Sequence, residues 1–262
     1  MIQHLSEADL PTAGALLDRV GLPSAASNVA RYLRWQPDGV WGLFEAGALV
    51  GTISLLHFGR VGFVGCMAVE PARQGHRLGR TLLEHAHRAA QRAGITTLLL
   101  EATASGRPLY EKLGYVVEYE TAVVSRSHVT PSAPIALHAE RASILDLDRR
   151  ATCSTRDAMI GDLVDRYPGA VARATHLVGY GLVVGDRLGP VIASDPGAGR
   201  ALIANLAGTC TVAGVPVLNE DAMTAFSATG FTPQRTLHRM RLGPPVASHA
   251  AWLWALASAG AG

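Results

Sequence analysis

The stretch Gln74-Gly75-His76-Arg77-Leu78-Gly79-Arg80-Thr81 carries residue types suited to a phosphorylated ligand. It comes after a strand-forming run that ends at Val69, turns at Glu70-Pro71 and opens a helical pattern. N–H groups at a helix start have no intrahelical partner and lie at the positive end of the helix dipole, which suits a pyrophosphate. Gly75 and Gly79 let the backbone approach the phosphates, and Arg73, Arg77 or Arg80 can add charge. Spacing alone is also compatible with an ordinary strand-turn-helix bearing a solvated, Arg-rich cap. Tyr110 offers a phenol, ordinarily of pKa about 10, that can donate a proton. Glu70 and Glu101 are the carboxylates that could accept one, although a solvated strand end also suits Glu101. Cys66 reads as a structural thiol, and His57 and His76 as surface or turn residues. The sequence holds no Ser-His-Asp or Cys-His signature.

The elements that must position these groups can be read from periodicity. Ser6 with Asp9 resembles a capping box, and Leu10, Ala13, Leu16, Leu17 and Val20 give a helix over about 7–20. A second helix covers about 25–35 and ends before Pro37. WGLFEA, GALVGTISLLHF and GRVGFVGCMAV then read as a meander of three antiparallel strands. Leu82, Leu83, Ala86, Ala90 and Ala93 recur at helical spacing until Gly94. ITTLLLEA is a strand buried on both faces, RPLYEKLG a short helix and YVVEYETAVV an alternating strand. A Ser/Thr/Pro-rich linker covers 125–134. The same plan then returns more faintly over 135–262: helices near 141–150, 156–166, 197–207 and 219–229, and strands between and after them. Tyr110, Gly114 and Tyr115 are echoed at the same steps by Phe226, Gly230 and Phe231, which a coarse internal duplication explains.

Taken together, Val69, Pro71, Gln74, Gly75, Leu78 and Gly79 resemble the V-x-P-x-x-[QR]-[GR]-x-G-x-[GA] signature of the GNAT (GCN5-related N-acetyltransferase) superfamily. RPLYEKLGY matches that family's later Tyr-x-x-x-Gly-[Phe/Tyr] element. The resemblance covers about 1–124, with one departure. Arg77 stands where the first glycine of G-x-G is usual, and is read as already helical, a conformation that tolerates a side chain. The resemblance implies an α/β (α+β) fold: a mixed, mostly antiparallel sheet flanked by helices, here in two similar copies. It also implies acetyl-CoA as co-substrate, without a metal, held by Met67, Ala68, Val69 and the run from Gln74, Gly75, His76, Arg77, Leu78 and Gly79 to Arg80 and Thr81. In this superfamily the strand matching Gly65–Val69 splays from the one matching Ile95–Ala102, and the pantetheine arm pairs with its exposed edge. An N–H near Met67 or Ala68 would polarise the thioester carbonyl. Tyr110 is then the general acid and Glu101 the candidate base, with attack direct and no covalent enzyme intermediate.

GYGLVVGDRLGPVIASD and NEDAMTAFSATGF resemble the C-terminal domain attached to some GNAT enzymes, which makes 135–262 a degenerate copy. It lacks the Gln/Arg-Gly-x-Gly cradle, has Asp195 near a helix start and carries Phe226 in place of the acid tyrosine, so one cofactor site per chain is expected. The expected acceptor is a primary amine of a small molecule or a protein, with its pocket expected from Val20–Ser27, the end of the third strand and the second domain. The apolar character of that loop argues against a polyamine. A non-catalytic acyl-CoA sensor and an acyl-CoA enzyme with a non-amine acceptor are the rival classes.

With 48% hydrophobic and 17% charged residues and a formal charge of +2, the 262-residue chain has a globular composition and no strong surface for nucleic acid or membrane. Three scattered cysteines argue against a disulfide framework or zinc motif and fit a reducing cytoplasm. The N-terminus has no signal-peptide pattern. The apolar tail AAWLWALASAGAG is too short to span a bilayer and is expected to pack on the body. The expected assembly is a monomer or homodimer.

Overall fold

The helical and alternating patterns become elements in a computed structural model that describes residues 1–22, 24–129 and 140–262, with the side chains of 24–26 left aside. Two compact units result. One comprises Met1–Leu100 with Leu242–Pro244 and Ala261; the other comprises Glu101–Arg241 with Pro245–Gly260 and Gly262.

The first unit begins with β1 (Ile2–His4), α1 (Leu10–Arg19) and α2 (Ser24–Trp35). It continues through β2 (Val40–Glu45), β3 (Ala48–Phe58), β4 (Val61–Val69), α3 (Leu78–Arg92) and the start of β5 (Thr97–Ala102). A turn over Glu7–Asp9 leads into α1, and the Ser6 N–H donates to Asp9 Oδ2 at 2.8 Å, the reciprocal half of the capping box. The strands run in the order β1-β2-β3-β4-β5, antiparallel as far as β4, after which α3 carries the chain over to a parallel β5. β1 was not expected, because three residues on a sheet edge carry no periodic signal. Leu82, Leu83, Ala86 and Ala90 form the buried face of α3. It lies close on β3 because Gly51 has no side chain: a Cβ there would come within 2.9 Å of Leu82 Cδ1.

The second unit holds α4 (Arg107–Glu111), β6 (Val116–Ser125), α5 (Arg141–Thr152), α6 (Asp157–Arg166), β7 (Gly169–Arg173) and β8 (Leu177–Val184). β9 (Arg187–Ala193), α7 (Pro196–Leu206), β10 (Val212–Pro216), α8 (Glu220–Ala228), β11 (Thr232–Leu242) and β12 (Leu253–Ala255) complete it. Its strands run β11-β6-β10-β9-β8-β7, with β12 added to β9. β6 closes the first sequence repeat, yet both its edges are taken by strands of the second: it pairs antiparallel with β10 and with β11. The compact units therefore divide the chain at Leu100/Glu101 and the duplication divides it elsewhere. Of the linker read over 125–134, Ser125 ends β6, and 130–134 lie outside the described residues. The echo between the repeats survives as geometry. Tyr110 and Tyr115 meet edge to face at 5.7 Å, and Phe226 and Phe231 do so at 5.3 Å.

A polar cluster on Asp148 lies deep in this unit. Arg156 holds Asp148 through Nε–Oδ2 at 3.1 Å and Nη2–Oδ1 at 2.6 Å, and the Tyr180 hydroxyl donates to Asp148 Oδ1 at 2.6 Å. All three side chains are buried, and Arg156 Nη1 also reaches the Gly262 carbonyl at 2.8 Å. Removing one partner leaves an uncompensated buried charge. Asp148→Ala is expected to lower stability by about 3–5 kcal/mol in chemical denaturation.

Candidate active site

The site is built where β4 leaves its neighbours. β4 pairs with β5 only from Val61↔Thr97 to Phe63↔Leu99, so its later residues have no β5 partner. On the other side the register with β3 slips. Ser54 faces Gly65 but Thr52 faces Ala68, so Cys66 and Met67 bulge opposite Ile53. Cys66 takes a left-handed φ of 46°, and its carbonyl accepts the Thr52 hydroxyl at 2.7 Å. Beyond the bulge the Glu70 N–H donates to Val50 O at 2.9 Å. Strand alternation therefore turns Ala68 toward β3 and Val69 toward the open edge. Consistent with that, the Val69 carbonyl accepts Gln74 Nε2 at 3.1 Å. Of the backbone candidates Met67, Ala68 and Val69, alternation turns the Val69 N–H toward the opening and sets Ala68 opposite Thr52 of β3.

The chain then makes a short turn over Pro71–Arg73, passes Gly75 at φ 83° and enters α3. After Gln74, Thr81 is the next residue whose N–H returns to the chain, to Arg77 O at 3.0 Å, and its hydroxyl also donates there at 3.2 Å. Among the described residues the N–H groups of Gly75, His76, Arg77, Leu78, Gly79 and Arg80 have no acceptor in the protein. They form one run of donors, exposed at Gly75–Arg77 and Arg80 and half-buried at Leu78 and Gly79, at the positive end of a 15-residue helix. The His76 ring turns back on the loop, with Nδ1 3.0 Å from Gln74 O.

Arg77 corrects the sequence reading. It is the N-cap of α3, with φ 63° and ψ 6°, which is left-handed and not helical. Glycine adopts that region without penalty, and a side chain there costs about 1–2 kcal/mol. Arg73 is ion-paired with Glu45, and Arg80 lies 2.7 Å from Glu84, whose carboxyl it holds below its ordinary range. Arg77 has no ion pair among the described residues. The exposed pairs are weak enough to rearrange around a bound anion.

The remaining candidates are equally specific. Burial pushes the Cys66 thiol up to about 12, which disfavours the thiolate at neutral pH. Tyr110 lies on α4, buried, and burial pushes its phenol up to about 12 rather than the ordinary 10. Glu101 is not a solvated strand end. Its side chain is 0% exposed, and Oε1 accepts Arg239 Nε at 2.6 Å. Arg239 also lies over the Tyr119 ring, 5.5 Å from its centroid. Glu101 Oε2 is buried without a hydrogen-bond partner among the described residues. Glu70 is ion-paired with Arg19 at 2.7 Å. Three features had no sequence signal: the Cys66 bulge, the Gln74 tether and Arg239, which lies 138 positions from Glu101. Of the acceptor loop expected at 20–27, Pro23 and the side chains of 24–26 lie outside the described residues.

With this geometry in hand, the relationships of the chain are consistent. The acetyltransferase (GNAT) domain family matches residues 36–117, and a second acetyltransferase (GNAT) domain family matches 144–255. The chain belongs to the GNAT acetyltransferase superfamily, with two GNAT domains in tandem. A Pyrococcus horikoshii protein described as an acetyltransferase is similar over 100% of this chain and 95% of its own, with a TM-score of 0.89 at 20% identity. A GCN5-related N-acetyltransferase from Sphaerobacter thermophilus is similar over 95% of this chain and 98% of its own, with a TM-score of 0.68 at 16% identity. These two likenesses concern the fold. No curated protein matches the sequence. No helix among the described residues is long and apolar enough to cross a membrane.

The strain at Arg77 gives a direct test. Arg77→Gly is expected to raise the stability of the ligand-free protein by about 1 kcal/mol, whereas Arg77→Ala, which keeps a Cβ, gains nothing comparable. Thermal or chemical denaturation of the two variants checks this.

Proposed function

We propose that this acyltransferase moves the acetyl group of acetyl-CoA to a primary amine of a small molecule or a protein. The observation that carries the reading is the continuity of two donor sets: the open edge of β4 after its bulge, and the unbonded N–H run from Gly75 to Arg80. An extended amide-bearing arm ending in a pyrophosphate needs such a pair of sites. When bound, acetyl-CoA supplies an acetyl group activated as a thioester. The N–H groups of Gly75–Arg80 hold its phosphates, with Arg77 adding charge, and the Val69 N–H donates to the carbonyl oxygen as negative charge develops there. The amine attacks the carbonyl carbon, so a C–N bond forms as the C–S bond breaks. Glu101, through the oxygen that Arg239 leaves unbonded, takes up the proton that the acceptor nitrogen loses, directly or through water.

Tyr110 is assigned to the departing sulfur. With its phenol at about 12, complete proton transfer to a thiolate of pKa about 8.5 is uphill, so its part is a strong hydrogen bond to the developing charge. It also stays protonated far into the alkaline range. Tyr110→Phe is expected to lower kcat by about 10²-fold while CoA affinity changes little. The wild-type pH profile should rise as the amine deprotonates and show no descending limb from Tyr110 below about pH 11, since a raised pKa keeps the donor form present up to that value. An assay over a panel of amines tests the reading itself. A protein that bound acetyl-CoA but neither acetylated any amine nor hydrolysed the thioester would be a sensor, and product masses would reveal a non-amine acceptor.

A further inference from the structure

The second unit contains the same parting of parallel strands as the first, and there the gap is filled. β9 and β10 pair directly only at Arg187↔Val212, so β9 leaves β10 as β4 leaves β5. The exposed edge of β9 is taken by β12, antiparallel, with Leu253 on Ile192 and Ala255 on Val191. The next residue closes the other side, the Leu256 N–H donating to Gly214 O on β10 at 2.8 Å. Asn219, buried at the start of α8, fixes the entering chain by donating to Ala251 O at 3.0 Å and to Leu253 O at 3.1 Å.

The walls of this gap lack side chains where the tail runs. A Cβ on Gly189 of β9 would come within 2.1 Å of Leu256 O. A Cβ on Gly199, in the first turns of α7, would come within 2.1 Å of Trp254 Cε2. Trp254 is 1% exposed and lies against the helix that succeeds β9, as α3 succeeds β4. Among the described residues no donor run precedes α7. The chain passes from β9 to the helix through Ser194 and Asp195 alone, and Asp195 accepts the Ala198 N–H at 2.8 Å.

We infer that Ala251–Leu256 is a built-in occupant of the second repeat's strand slot, added to β9 as an extra strand and keyed by Trp254 over Gly199, and that this segment closes the slot to acyl-CoA. The slot is thus an intramolecular strand-addition site whose ligand is covalently attached. It holds regardless of which acceptor the first domain uses.

Backbone amide exchange of the full-length protein, read by mass spectrometry, tests the inference. Gly199→Leu pushes Trp254 out and is expected to speed exchange over 253–256 by at least tenfold. Trp254→Phe, which keeps a ring over Gly199 and removes an indole N–H that has no partner among the described residues, should leave exchange nearly unchanged. The unaltered protein provides the second arm, needed if Gly199→Leu does not fold. At saturating CoA, native mass spectrometry should show no second equivalent, and 251–256 should exchange as in the free protein. Unchanged exchange over 253–256 in a folded Gly199→Leu variant would overturn the inference. So would a second CoA equivalent whose binding alters exchange over 251–256. If CoA failed to bind at all, the proposed function would fall while the Gly199→Leu comparison still decided this inference.

Discussion

Backbone N–H groups that face away from their own strand or helix need an acceptor, and in the first domain the fold leaves a contiguous set of them to whatever arrives from solution. β4 loses β5 after Phe63, the bulge at Cys66–Met67 re-aims the end of the strand, and α3 begins with a run of donors from Gly75 to Arg80. A buried donor left unpaired is costly, so such a set is tolerated only where water or a ligand reaches it. The loop is exposed, which meets that condition. The packing around it keeps the donors in place. Leu82 and Leu83 seat α3 on the sheet, Gly51 lets it approach, and the Gln74 amide ties the loop to Val69.

The second domain meets the same constraint in the opposite way. Its parted strands are bridged by the chain's own β12, and its helix start is satisfied by Asp195. One duplicated plan thereby yields a strand edge and helix start left open in one domain, and a bridged strand edge with a capped helix start in the other. The chemical side chains differ in the same sense: Tyr110 has its counterpart in Phe226, which keeps the edge-to-face ring contact and loses the hydroxyl.

Much of this was legible in the residues. Helical spacing from Leu78, the apolar run at ITTLLLEA and the β-forming runs separated by glycine turns before Glu70 are local signals, and each became the expected element. The donor cradle was legible because a strand, a turn with glycine and a helix start are contiguous in the chain. What failed to show was non-local or conformational. Arg77 looked helical because propensity does not reveal a left-handed φ, although the glycine usual at that position was a signal for it. Glu101 looked solvent-facing because Arg239 comes from the last long strand. β6 was read as the end of the first domain because nothing within it encodes that β10 and β11 will take both its edges. The tail was expected to pack on the body, but three residues of β12 carry no strand periodicity of their own.

The central claim, that unbonded backbone donors of β4 and α3 form the cofactor site, is open to a single observation. In 15N-resolved NMR of the full chain, titration with CoA should shift the amide resonances of Val69 and of Gly75 through Arg80 most strongly. Amides of β9 and the start of α7 should stay in place. Binding that left the Gly75–Arg80 amides unmoved, or that shifted the amides around Asp195 instead, would contradict the account.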